Sequence, residues 1–212
     1  MIDLWKYEKD LYDKGINVIG GVDEAGRGPL FGPVVAACVV LPSDFVLEGL
    51  TDSKKLSEKK RNIFYDYIMK NSVAVAVGIV SAEEIDEINI YAASKKAMVM
   101  AINEVREKID LEYVLSDAMP IELDIPVMPI IKGDAKSITI AAASVIAKVT
   151  RDRIMYEFDE KYPEYGFKNH KGYPTKNHLL ALEKYGVISG YRKTYGPVKR
   201  LLEDKNDNKW RK

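Results

Sequence analysis

Cysteine is nearly absent from this chain of 212 residues: Cys38 is the only one. A single thiol excludes an intramolecular disulfide, and its place inside the apolar run Val34–Leu41 marks it as a buried, reduced core residue of a cytoplasmic protein. Histidine is scarce too. His170 and His178 are the only two, too few and too scattered for a zinc site or a histidine-based triad. Long apolar runs are missing; none reaches the roughly 20 residues that span a bilayer, and the opening M-I-D-L-W-K-Y-E-K-D has no signal-peptide core. No membrane partner is expected. No repeat or low-complexity tract occurs. Net charge is lacking as well, with 32 basic against 32 acidic residues, so bulk charge alone argues against a polyanionic partner.

The composition that remains, 47% hydrophobic and 30% charged, is that of a globular protein with one sizeable core. Its charge is unevenly spread. Residues 132–212 carry 18 Lys/Arg against 10 Asp/Glu, whereas residues 1–131 carry 14 against 22. A basic face for a polyanion beside an acidic patch for cations is compatible with that asymmetry.

Periodicity predicts a short helix over Leu4–Lys14, then strands at Val18–Asp23 and Val34–Leu41 joined by a loop rich in Gly and Pro. A polar loop, Glu48–Leu56, precedes a helix over Glu58–Lys70 capped by Ser57, with Ile63, Phe64, Tyr67 and Ile68 on one side. A valine-rich strand, Val73–Val80, is followed by a helical region from Ser81 to about Ile109, with Ala97, Met100, Ala101, Ile102 and Val105 as its apolar face. Ser81 and Glu84 have capping-box spacing. Strands follow at Tyr113–Ser116 and Val127–Ile131. The longest helix, Ser137–Tyr162, is dense in small residues that allow close approach to a sheet. A further helix, Lys176–Tyr185, is capped by Thr175 and ended by Gly186. This order predicts a mixed sheet with helices on its faces, α/β or α+β, in one compact unit: a core over residues 1–160 and a C-terminal helical region over 161–212.

Carboxylates stand at three strand ends: Asp23 with Glu24, then Asp117, then Asp134 just beyond the third. Ligand sites in such sheets lie beyond strand ends. Converging acids with no Cys and no paired His favour Mg²⁺ or Mn²⁺ over zinc, and two such ions form a clamp for in-line phosphoryl displacement.

Five blocks, D-E-A-G-R-G (Asp23–Gly28), D-S-K-K-L (Asp52–Leu56), K-G-D-A-K-S (Lys132–Ser137), A-A-A-S-V-I-A-K-V-T-R-D-R (Ala141–Arg153) and H-K-G-Y-P-T (His170–Thr175), together resemble type 2 ribonuclease H, the ribonuclease HII family. The resemblance runs from about Val18 to Pro197 and implies a ribonuclease H-like α/β core with a small C-terminal helical region. It implies an endonuclease that cuts the RNA strand of RNA–DNA hybrids, and duplex DNA 5′ to embedded ribonucleotides, with two Mg²⁺ or Mn²⁺ ions. Asp23, Glu24, Asp117 and Asp134 match the metal-binding catalytic acids. Gly26, Arg27 and Gly28 match the loop that reads the ribose 2′-hydroxyl, and Tyr173 matches the tyrosine at the RNA–DNA junction. Ser53 and Lys54 match positions near the substrate phosphates, and Lys136, next to the acids in sequence, is a further candidate contact.

A first-type ribonuclease H or a junction resolvase would share the acids but not G-R-G or Tyr173, and a binding module without activity would have an incomplete acid set. No sliding-clamp motif is visible, a monomer is expected, and the seventeen residues before Val18 are too few for an extra N-terminal domain. The tail D-K-N-D-N-K-W-R-K is expected to be disordered.

Overall fold

The apolar run after the glycine loop forms a strand, Val34–Val40, buried along its whole length. A strand reaches that state only where both faces of its sheet are covered. A computed structural model describes residues 3–207 and shows how. Five strands, β1 (Ile19–Ala25), β2 (Val34–Val40), β3 (Ala74–Val80), β4 (Tyr113–Asp117) and β5 (Val127–Ile130), form one sheet in the order β3-β2-β1-β4-β5. β1–β2 and β2–β3 are antiparallel, and β1–β4 and β4–β5 are parallel. Pro129 lies in β5, an edge strand, where its missing N–H is tolerated.

Seven helices occur among the described residues: α1 (Lys6–Tyr12), α2 (Glu58–Asn71), α3 (Ala82–Arg106), α4 (Ile138–Lys161), α5 (Phe167–His170), α6 (Lys176–Tyr185) and α7 (Gly196–Asp207). Alternation along β2 splits the core. Ala36 and Cys38 join Val22 beneath Ala97, Ala101 and Val105 of α3, whereas Ala37 and Val39 pack with Ala141, Ala142 and Val145 of α4 and Phe64 and Ile68 of α2. A third cluster centres on Phe31, stacked on Phe167 at 4.0 Å and edge-on to Phe158 and Tyr191 at 4.9 Å. It ties the loop after β1 to the C-terminal residues Leu182 and Val198.

The expected elements are present, with local differences. Ile63, Tyr67 and Met100 are exposed, because only one stripe of each helix meets the sheet. α3 is kinked at Asn89 (φ 67°), whose Oδ1 accepts from the Tyr91 and Ala92 N–H groups and so restarts the helix. Ser81 Oγ accepts from the Glu84 N–H, but the Glu84 side chain pairs with Lys96, so only half of a capping box forms. α7 continues through residues 204–207, where disorder is expected from the sequence; positions 208–212 lie outside the described residues.

Candidate active site

Asp23 and Glu24 lie inside β1, just before its last residue Ala25, opposite Ala37 and Ala36 of β2. Pleat parity sends successive side chains to opposite faces, so Asp23, two residues on from Gly21, faces α4. The approach of α4 is set by Gly21: a Cβ there would sit 2.2 Å from the Thr139 carbonyl carbon and 2.4 Å from the Ile140 nitrogen. The missing side chain lets the first turn of α4, and the turn before it, settle against β1. That preceding turn is Gly133–Ala135, entered through Lys132 in a left-handed conformation (φ 57°). It carries Asp134. Asp117, the last residue of β4, lies beside it and accepts the Gly133 N–H at 2.7 Å.

Asp23, Asp117 and Asp134 each offer one carboxylate oxygen within 4.8 Å of the other two. Asp23 is 4% and Asp134 7% exposed. Burial, followed by the charges of Glu24 and Asp117, pushes the Asp23 carboxyl well above the usual carboxylate range. Burial, then Asp117 and Asp52, raises that of Asp134. Glu24 stands outside the three-acid cluster; burial raises its pKa against the opposing pull of Arg27, which contacts Glu24 Oε1 at 3.3 Å. Its Oε2 is buried and has no hydrogen-bond partner. The three converging aspartates offer the oxygen donors that suit a hard divalent cation.

Next to the acids lies a cavity of about 180 Å³, lined by Glu24, the Gly26–Gly28 loop, Ser53, Lys54, Ser144, Lys148 and Tyr173. Gly26 has φ +103°, and a Cβ there would meet the Arg151 side chain at 2.2 Å, so no other residue fits. Tyr173 is 41% exposed, and the open side of Gly28 faces its ring. Its carbonyl accepts from His178 Nδ1 at 2.8 Å, and His178 Nε2 in turn accepts a hydrogen bond from the Tyr191 hydroxyl at 2.9 Å. Lys54 follows Asp52, whose Oδ1 caps the Lys54 N–H at 2.9 Å, and Ser53 Oγ lies 2.9 Å from Ser144 Oγ of α4. Burial disfavours the Lys54 ammonium, yet the combined fields of Asp23, Asp52, Asp134 and Asp117 leave its pKa raised. Lys136 is half-buried at the end of the Asp134 turn and does not line the cavity.

Two groups beneath the loop were not legible in sequence. Arg151 donates to the carbonyls of Pro33, Lys171 and Phe31, and Arg192 to those of Gly26, Arg27 and Gly32. Both are buried, and a sequence offers no sign that an arginine will turn inward.

The ribonuclease HII family model matches residues 20–196 of the chain. A ribonuclease HII of Bacillus cytotoxicus is 53% identical over 204 residues, covering 96% of this chain and 78% of its own. Among solved structures, the ribonuclease H2 of Pyrococcus horikoshii OT3 aligns with a TM-score of 0.77 at 28% identity, covering 89% of this chain and 99% of that one. The structure of the PCNA:RNase HII complex from Archaeoglobus fulgidus aligns with a TM-score of 0.70 at 29% identity, covering 84% and 95%. By a family match over most of its length and a relative more than half identical, this chain belongs to the ribonuclease HII family, metal-dependent hydrolases that cleave RNA in RNA–DNA hybrids.

Proposed function

We propose that this chain cuts the RNA strand of hybrids, and duplex DNA on the 5′ side of an embedded ribonucleotide, leaving 3′-hydroxyl and 5′-phosphate ends, and so removes ribonucleotides from DNA. The observation that carries this reading is the meeting of Asp23, Asp117 and Asp134 from three separate segments. Acids so close repel one another unless protons or cations neutralise them. Their all-oxygen donor set suits Mg²⁺ or Mn²⁺, with the unpartnered Glu24 Oε2 completing it. When bound, a pair of such ions supplies a water of lowered pKa and stabilises charge on the departing 3′-oxygen.

The chain's own residues supply position. Asp23, Glu24, Asp117 and Asp134 hold the cations on the rigid ends of β1 and β4 and on the turn before α4. The Gly26-Arg27-Gly28 loop approaches the ribose, because glycine leaves its backbone open to the 2′-hydroxyl that separates RNA from DNA. Tyr173, facing Gly28, packs against the sugar or base at the junction. Ser53 and Lys54, which line the cavity, lie on the phosphate side. No protein nucleophile is required.

A labelled duplex with a single ribonucleotide tests the proposal. Incubation with Mg²⁺ or Mn²⁺ is expected to give one cut, mapped 5′ to the ribonucleotide, and Ca²⁺ is expected to support binding without turnover. Cleavage on the 3′ side, or none with either ion, would sink it. Cleavage of hybrid RNA tracts alone would confine the activity to the family's broader reaction.

A further inference from the structure

Arg192 is fully buried, yet its hydrogen-bond partners are neutral oxygens rather than a carboxylate. Nε and Nη2 donate to the Gly32 carbonyl at 3.0 and 2.8 Å, Nη2 to the Gly26 carbonyl at 2.6 Å, and Nη1 to the Arg27 carbonyl at 2.9 Å and the Tyr195 hydroxyl at 3.0 Å. The Tyr195 hydroxyl itself donates to the Arg27 carbonyl at 2.8 Å. Burying a guanidinium without a carboxylate bonded to it is costly, and a core that needed only filling would use an apolar residue. The placement has a consequence for the loop. In a trans peptide unit the C=O and the following N–H point in opposite directions, and no cis peptide bond occurs among the described residues. With the Gly26 and Arg27 carbonyls drawn down onto Arg192, the N–H groups of Arg27 and Gly28 are turned away from it, and the cavity that this loop lines does not include Arg192. Among the described residues neither N–H has a hydrogen-bond acceptor within the protein.

We propose that Arg192, assisted by Tyr195, is a positioning residue that fixes the two peptide planes of the Gly26–Gly28 loop so that a pair of backbone N–H donors faces an oxygen acceptor of the substrate, the ribose 2′-hydroxyl or the adjoining phosphate. The proposal rests on the functional reading above for the identity of that acceptor, but not for the ordering of the loop. Its positive charge, transmitted along the two peptide dipoles, strengthens both donors toward an anionic or electron-rich oxygen. Lysine could not replace it, because one ammonium cannot span three carbonyls in a plane.

Arg192→Gln, Arg192→Lys and Tyr195→Phe, each melted beside the parent to verify folding, carry the test. ¹⁵N relaxation of Arg27 and Gly28 without substrate reads loop order: low heteronuclear NOE values are expected in both Arg192 variants and a smaller drop in Tyr195→Phe. Binding in Ca²⁺ is then compared between an all-DNA duplex and the same duplex with one ribonucleotide. Arg192→Gln is expected to lose about tenfold on the ribonucleotide duplex. An unchanged all-DNA affinity would identify the 2′-hydroxyl as the acceptor, and an equal loss on both duplexes would identify the phosphate. Parental loop order and parental affinities in a folded Arg192→Gln would overturn the proposal; should that variant not fold, unchanged relaxation in Tyr195→Phe would do so. A parent that does not distinguish the two duplexes would refute ribose recognition while leaving the relaxation result to decide the role of Arg192.

Discussion

Asp23 sits where a negative charge is expensive: buried, with Glu24 and Asp117 raising its pKa further. Without metal, that raised value costs stability as pH climbs from the unfolded carboxylate range toward the folded pKa, because the unfolded chain releases its proton there while the buried group still holds its own. Asp23→Asn removes the charge, so it is expected to raise the metal-free melting temperature by a few degrees (about 2–4 °C per kcal/mol at this size) while lowering cleavage by at least about a thousandfold. Calorimetry and turnover measured together check both directions; a destabilised yet active variant would contradict the assignment. His178 behaves oppositely with pH. Burial holds its imidazole down at about 4, against the ordinary 6.5. The unfolded chain therefore takes up a proton first as pH falls. The stability of neutral His178 is complete above pH 6.5 and is lost between 6.5 and about 4, up to roughly 3 kcal/mol. Urea unfolding across that window should show a flatter acid limb in His178→Gln than in the parent.

The pairing of β1 with α4 is the element-scale contact on which the site depends. Gly21→Ala would drive a methyl into the Thr139–Ile140 backbone, which cannot rotate away as a side chain can. We expect a loss of about 3 kcal/mol or more, read by urea midpoint, and weaker Mn²⁺ binding as the turn bearing Asp134 moves off Asp23. Glu8 reinforces the same contact from α1: its buried Oε1 accepts from Ser137 Oγ at 2.6 Å and Thr139 Oγ1 at 2.8 Å, at the very start of α4. Helix α4 is thus held at its N-terminus by both β1 and α1. In sequence its alanines announce close packing, but the strand residue they would meet is not readable from them.

At the scale of the whole molecule, the C-terminal residues complete the loop that follows Ala25. Gly172 O accepts the Leu30 N–H and Gly190 O the Gly32 N–H, each at 2.8 Å, and the Phe31 cluster buries the junction. We propose that residues 1–160 and 161–212 act as one cooperative unit. Thermal unfolding followed by far-UV signal and by tyrosine fluorescence should give coincident transitions, and a chain ending at residue 160 should lose substrate discrimination together with stability. Two separated transitions would divide the molecule after all.

The elements themselves were legible because burial leaves a period in the residues that provide it: the valine run of β2, the Ser57 and Thr175 caps, the small residues of α4. Equally legible was the chemistry on offer, since carboxylates without cysteine or clustered histidine leave few cations to choose from. Sequence order could not give distance. Asp23 and Asp134 lie more than a hundred positions apart, and only the parallel pairing of β1 with β4 and the bare face of Gly21 bring them within reach of one ion. The inward turn of Arg151 and Arg192 was likewise decided by folding, since their acceptors are backbone carbonyls, which every residue possesses and no sequence pattern marks.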